Sequence, residues 1–173
     1  TKTDALARPY WQYKTDEKQD NADGIAYSVD GSSPEVKSAD VTAYADANGT
    51  TAYGEKETVG TSVNLGGTKK RYARFVFTAA DANGVASMTA TLSGKDKDNP
   101  ENAKEITLST DTATDGTFEA TSDSTPATWT TSLVDMSVFA TGAVTLKVVP
   151  TDQNGLIGNC QYTCNVDNTA PVI

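Results

Sequence analysis

Short runs in which apolar and polar residues alternate recur along this sequence. In the clearest of them every second residue is apolar; these runs are 73–79, 88–92, 144–148 and 160–166. Alternation with a period of two places one face of a strand against a core and the other face in solvent. No stretch shows the 3.6-residue period of an amphipathic helix. We therefore predict an all-β fold.

Turn-forming residues separate these runs. Asp, Asn and Gly adopt the left-handed and hairpin conformations that tight turns need. They cluster in Asp46-Ala47-Asn48-Gly49, Asp81-Ala82-Asn83-Gly84, Asp115-Gly116 and Gln153-Asn154-Gly155. Several short strands separated by tight turns predict an antiparallel β-sandwich.

The charge and composition exclude some classes of partner. The chain has 173 residues with 23 acidic and 14 basic side chains, a net charge of −9, and no histidine. This charge repels phosphate backbones and anionic membrane surfaces, so nucleic acid is not expected as a partner. No apolar run approaches the roughly 20 residues that span a bilayer, so membrane insertion is not expected either. The absence of histidine removes the commonest general base and zinc ligand.

An internal echo suggests the domain organisation. Residues 27–36 match residues 164–173: both contain a Val-Asp pair, then mainly small polar residues, then Pro, with an apolar residue within the next two positions. Echoes of this kind are typical of repeated modules. We interpret residues 1–30 as the terminal strands of a preceding module, or as donated or added strands. Residues 31–173 would form one sandwich, with a long insert at about 95–127 and a further linker beginning at 169–173. The alternative is a chance similarity between two Pro-containing linkers.

Four segments together carry a family resemblance. They are 74–87, 129–137, 143–155 and 166–173, and they resemble, in this order, strands, loops and the linker of bacterial immunoglobulin-like domains from tandem-repeat cell-surface proteins. The resemblance covers roughly residues 60–173. It implies an immunoglobulin-like antiparallel β-sandwich in an extracellular, cell-surface location. Two regions depart from the family pattern, an unusual entry at 37–67 and the insert at 95–127, where we expect loops or an added hairpin.

Proteins of this family serve as adhesins, stalks and accessory modules of secreted enzymes. The resemblance therefore implies a non-catalytic structural or adhesion module, either a spacer or an assembly unit of a tandem-repeat stalk or filament. The alternative is a carbohydrate- or protein-binding accessory module of a secreted protein. The expected partners are neighbouring modules or subunits, or a glycan or protein of a host or matrix.

Several oxygen-bearing side chains are expected to converge at one end of such a sandwich. The entering linker and the loops after two strands meet there, and they carry Asp30, Asp81, Asn83, Asp152 and Asn154. Calcium binds six to eight oxygens from flexible loops. We therefore predict a calcium site from these five residues at the junction between modules. The alternative is that each Asp or Asn only stabilises its own turn through local backbone hydrogen bonds.

The two cysteines lie too far apart in a regular strand for a disulfide. Cys160 and Cys164 would have Cα atoms about 13 Å apart in an extended strand, whereas a disulfide needs less than about 7 Å. Buried free thiols are the default expectation, and a bridge requires the strand to begin after Cys160.

Aromatic and basic clusters offer weaker candidates for binding. Tyr10, Trp11 and Tyr13 could stack on a sugar ring, although aromatic residues more often fill a core. Trp129 is a core candidate for the same reason. The basic run 69–71 is interpreted as a solvated guard of a strand edge rather than a binding patch.

Overall fold

The computed structural model describes residues 32–109 and 126–173. The described residues form ten β-strands and a short 3₁₀ turn, Met136–Val138, with no α-helix among them. The strands are β1 (Glu35–Tyr44), β2 (Glu57–Thr58), β3 (Asn64–Leu65), β4 (Tyr72–Ala80), β5 (Val85–Lys95), β6 (Ala103–Leu108), β7 (Ala127–Thr130), β8 (Val134–Asp135), β9 (Gly142–Asp152) and β10 (Cys160–Val166). The predicted all-β class is confirmed.

The strands pair into two sheets. The first has the order β2-β1-β4-β7, with β8 also paired to β4, and the second has the order β3-β10-β9-β5-β6. Neighbouring strands are antiparallel except β3 and β10, which run parallel. The predicted antiparallel β-sandwich is therefore confirmed for the described residues. The extra strands predicted within residues 1–30 lie outside them.

Alternating side chains of the central strands fill the space between the sheets. On β4 the inward positions Ala73, Phe75, Phe77 and Ala79 are all fully buried, and the two phenylalanine rings lie parallel with centroids 6.2 Å apart. On β9, Val144, Leu146 and Val148 are buried as the alternation predicts. Trp129 joins this core, so the interpretation of that residue is confirmed.

The two regions that depart from the family pattern are partly strands. The entry contains β1, which pairs with β4 along its whole length, and β3, which crosses to the other sheet and pairs with the end of β10. The insert contains β6, which forms an antiparallel hairpin with β5 and widens the second sheet. Residues 110–125 of the insert lie outside the described residues.

The strand directions give the sandwich two ends. Glu35 pairs with Ala80, Val85 with Asp152, and Cys160 with Val148. The segment entering β1, the β4–β5 turn and the β9–β10 turn therefore meet at one end, which we call the acidic end. Strand β4 begins at the other end, its nine residues spanning about 30 Å.

Candidate functional site

The β4–β5 turn at the acidic end is built around Asp81. Its carboxylate Oδ2 accepts a hydrogen bond of 2.9 Å from the backbone N–H of Asn83. Its backbone carbonyl accepts another, of 3.1 Å, from Gly84, whose φ of 79° lies in the left-handed region. Asp81 is only 7% exposed. The carboxylate therefore accepts a hydrogen bond from a backbone N–H group that has no partner in a neighbouring strand at the turn.

The β9–β10 turn repeats this design around Asp152. Its Oδ1 accepts hydrogen bonds of 2.8 Å from the backbone N–H groups of both Asn154 and Leu156. The carbonyl of Asp152 accepts a third, of 3.2 Å, from Gly155. At 2% exposure, Asp152 is the most deeply buried carboxylate among the described residues.

The other carboxylate oxygen of Asp152 differs from the first. Its Oδ2 is buried and forms no hydrogen bond with any described residue, and the same holds for the side-chain nitrogen of Asn83. A buried carboxylate oxygen without a partner is unfavourable, and a bound cation would remove that penalty. The atom of Asn83 that lacks a partner is a hydrogen-bond donor, so this side chain would have to rotate before its oxygen could bind a cation.

The predicted metal residues are thus only partly assembled. Asp81, Asn83, Asp152 and Asn154 lie in two turns at the same end, as the sequence predicts, and Asp30 lies outside the described residues. Among the described residues, no three carboxylates or thiols are grouped closely enough to hold a metal ion. The observed bonds of Asp81 and Asp152 are the local turn bonds of the alternative interpretation.

The segment entering β1 is packed closely against the β9–β10 turn. Gly158 lies so near the backbone carbonyl of Pro34 that a Cβ atom on Gly158 would overlap it. Ser33, Val36, Ile157 and Cys160 line a hollow of about 550 Å³ beside this contact. The entering segment is therefore in direct backbone contact with the β9–β10 turn.

Both cysteines are free thiols. Cys164 is buried, and that burial raises its pKa to about 11. Cys160 is only half-buried, so the expectation of two buried thiols is wrong for this residue. The reason is its position at the start of β10, where the strand leaves the core. Burial, together with the nearby Cys160 thiol, raises the pKa of the Tyr162 hydroxyl.

Positive side chains stack on tyrosine rings at the opposite end. The ammonium groups of Lys69 and Lys70 each lie 5.7 Å from the centre of the Tyr53 ring. The guanidinium of Arg74 lies 5.6 Å from the centre of the Tyr44 ring. Tyr44 pairs with Tyr72 across strands β1 and β4, which makes the surface continuous. We call it the basic face; it consists of Tyr44, Tyr53, Lys69, Lys70, Tyr72 and Arg74.

Arg71 borders the basic face and forms an ion pair. Its Nε and one terminal nitrogen donate to the two carboxylate oxygens of Asp135, at 3.0 and 2.9 Å. These hydrogen bonds hold the pKa of Asp135 at about 2 and raise the pKa of Arg71. Asp135 also accepts a 3.0 Å bond from the backbone N–H of Ser137, which caps the 3₁₀ turn.

A shallow hollow of about 400 Å³ lies beside Arg71 and Tyr72. Asp46 is on its rim, but the carboxylate is bonded within its own loop, to the Thr50 hydroxyl at 2.7 Å and the Thr51 N–H at 2.8 Å. These bonds lower the pKa of Asp46 to about 2, and the bond from the Thr50 hydroxyl has the largest effect. Lys97 also lines the hollow.

Sequence reasoning missed the basic face. It treated residues 69–71 as an edge guard and did not connect them with tyrosines elsewhere in the chain. A usable signal was present, because Tyr44 and Tyr72 occupy outward positions in strands whose neighbouring positions are buried alanines. The aromatic cluster of Tyr10, Trp11 and Tyr13 lies outside the described residues.

Comparisons with known proteins leave the family open. The chain matches no family model, and no curated protein sequence matches it. Among solved structures it is similar to CopC from Methylosinus trichosporium OB3b, with 15% identity and a TM-score of 0.32 over 66% of this chain and 90% of that one. A likeness of this size supports no inference about function.

The described part of the chain contains no helix that is long and apolar enough to cross a membrane.

Proposed function

We propose that this chain is a non-catalytic, extracellular structural or adhesion module of a cell-surface protein, serving as a spacer or assembly unit in a tandem-repeat stalk or filament. The observation that carries the proposal is the position of the internal echo relative to the strands. Strand β10 ends at Val166, and Asp167 through Pro171 follow it. The matching Val-Asp through Pro pattern ends at Pro34, and β1 begins at Glu35.

The echoed pattern therefore brackets one sandwich. It follows the last strand at one side and precedes the first strand at the other, which is the arrangement of a linker between repeated modules. The contact between Gly158 and Pro34 supports a defined junction, because it fixes the entering linker to the β9–β10 turn. A linker whose last residue contacts the module that follows it limits the angles that neighbouring modules can adopt.

A tandem protein made of two copies of the chain tests this proposal. Joining the copies so that Val166 of the first takes the place of Val29 of the second reproduces the bracketed linker between two sandwiches. We expect small-angle X-ray scattering to give an extended particle with a narrow range of inter-module angles. A broad range, equal to that of a control with a longer flexible Gly-Ser linker in place of residues 30–34 of the second copy, would contradict the proposal.

We further propose that calcium binds at the acidic end and stiffens this junction. The main support is the buried Oδ2 of Asp152, which has no hydrogen-bond partner in the described part of the chain. The Asp81 turn lies at the same end, and the linker sequence contributes Asp30. Asp152 would supply a carboxylate oxygen, and backbone carbonyls and water could complete the oxygen set that calcium takes. The bonds to Asn154 and Leu156 use only Oδ1, so they are compatible with a cation at Oδ2.

Thermal unfolding with calcium or with a chelator tests the calcium proposal. We expect calcium at 100 times its Kd to stabilise the wild type by about 2.7 kcal/mol, which corresponds to a rise in Tm of several degrees. The Asp152→Asn variant should unfold at or above the wild-type Tm in chelator, because it removes a buried charge, and should not respond to calcium. Asp98→Asn, an exposed control, should respond as the wild type does. An unchanged wild-type Tm in millimolar calcium would rule out the site.

A second function, binding of carbohydrate or protein as an accessory module, is favoured by the basic face. This surface is exposed at Tyr53, which is 46% accessible, and it lies at the end opposite the linker that enters β1. The linker that follows β10 leaves from this same end, and its Asn168 lines the adjoining hollow, so in an array the ligand would bind beside the junction with the following module.

A further inference from the structure

Stacked cations are concentrated in one small part of this molecule. Energetically significant cation–π pairs occur roughly once in 70–80 residues of an average protein. Here four such contacts lie within residues 44–74, from Lys69, Lys70, Arg71 and Arg74 to three tyrosines. Stacking holds these long side chains in place, so a ligand that binds them loses less conformational entropy.

Much of the positive charge on this surface is not neutralised. Arg71 is paired with Asp135, and Lys70 lies 4.0 Å from Glu57. Neither Lys69 nor Arg74 forms an ion pair within the described part of the chain. The net charge of the whole chain is −9. The positive potential of the basic face is therefore confined to this part of the surface.

The stacking also decides which chemical class of ligand fits. Cations lie 5.6–5.7 Å from the centres of the Tyr44 and Tyr53 rings, so a neutral sugar ring that stacked on the same faces would have to displace them. The surface instead presents ammonium and guanidinium donors beside phenol hydroxyls. Such groups bind carboxylate or sulfate oxygens through charge-assisted hydrogen bonds.

The adjoining hollow favours an acidic polysaccharide over an acidic peptide. Its lining is mainly polar, and the apolar surface comes from two alanines and the Tyr72 ring. Arg71 and Lys97 supply its positive charge, and its carboxylate, Asp46, is already bonded to Thr50 and Thr51. The anchor side chains of protein partners usually fill well-packed pockets that exclude water, whereas this hollow is shallow and mostly polar. Its volume of about 400 Å³ lies within the range of small-ligand sites.

We propose that the basic face binds an acidic polysaccharide made of uronic acid units, with Lys69, Lys70 and Arg74 contacting successive carboxylates and the adjoining hollow taking one sugar residue. This inference rests on the binding form of the proposed function and names its ligand class. It is independent of the tandem arrangement, which the scattering experiment tests separately.

Calorimetric titration of the full chain with polygalacturonate oligomers tests this inference. The buffer contains chelator, so that calcium cannot bridge carboxylates, and 0.1 M salt, at which the Debye length is about 10 Å and distant charges are screened. The combined Lys69→Gln, Lys70→Gln and Arg74→Gln variant should bind at least about tenfold more weakly, a loss of about 1.4 kcal/mol. Removing the same number of charges from the second sheet, with Lys95, Lys104 and Lys147→Gln, should change the affinity by less than about twofold.

A single substitution provides an independent check if the triple variant folds poorly. Tyr53→Ala keeps all the charges but removes the ring beneath Lys69 and Lys70, and we expect it to weaken binding by about threefold. No binding by the wild type, or equal losses in the two triple variants, would overturn the inference. Binding of poly-glutamate as tight as that of polygalacturonate would identify an acidic protein as the partner and would overturn it too. Equal binding of neutral dextran would exclude charge recognition altogether.

Discussion

The two ends of the sandwich both carry charged side chains, but they use them differently. At the acidic end Asp81 and Asp152 are buried, and their carboxylates hold the backbone of two turns. At the basic end Lys69 and Arg74 stack on tyrosine rings at the surface and hold no turn. A buried charge with backbone partners is coupled to folding, whereas an exposed charge is largely stabilised by water and is open to a ligand.

This difference predicts a large loss of stability when Asp152 is truncated. In Asp152→Ala the backbone N–H groups of Asn154 and Leu156 lose their acceptor, and we expect the free energy of unfolding to fall by about 2–3 kcal/mol. Urea denaturation measures the change. Asp152→Asn keeps an oxygen acceptor for these bonds and removes the buried charge, so in the absence of calcium it should be at least as stable as the wild type. Equal losses in the two variants would show that the turn bonds contribute little.

A smaller loss is predicted for Gly158→Ala, also at the acidic end. The new methyl group would overlap the carbonyl of Pro34, so the linker or the turn must shift, at a cost of about 1–2 kcal/mol. Gly60→Ala is the matched control, because a Cβ atom there meets nothing within 4 Å. The same urea experiment applies to both. A Gly158→Ala variant as stable as the control would show that this contact does not fix the linker.

At the basic end, acid should weaken one ion pair. The folded-state pKa of Asp135 is about 2, below its ordinary value of 3.8, because Arg71 donates hydrogen bonds to the carboxylate. A lowered pKa stabilises the fold above the ordinary value, and that contribution disappears as the pH falls from about 4 to 2. The Asp135 side chain is 34% exposed, so we expect less than about 1 kcal/mol. The stability gap between wild type and Asp135→Asn should therefore close over this pH range, and a constant gap would contradict the assignment.

The acidic end could be predicted from the sequence to a greater extent than the basic end. Asp81-Ala82-Asn83-Gly84 is a local turn pattern, and the alternating strands on either side of it determine at which end of the sandwich it lies. The basic face depends on contacts between distant segments, since Tyr53 follows β1 in a loop whose path no periodicity specifies. For the same reason the crossing of β3 to the second sheet was not predictable. The partial exposure of Cys160 depends on where β10 begins, and strand ends are the least predictable feature of a sequence.

The stability of the charge-reduced basic face tests the contrast between the two ends most directly. The variant with Lys69, Lys70 and Arg74 replaced by Gln should lose no more than about 1.5 kcal/mol of its free energy of unfolding, about 0.5 kcal/mol for each exposed stacked cation, and so less than Asp152→Ala. Urea denaturation, run in parallel with Asp152→Ala, gives this value. We predict a stable variant that has lost polygalacturonate binding. A loss of stability as large as that of Asp152→Ala would contradict this contrast, since the stacked cations would then hold the fold together as the buried carboxylates do.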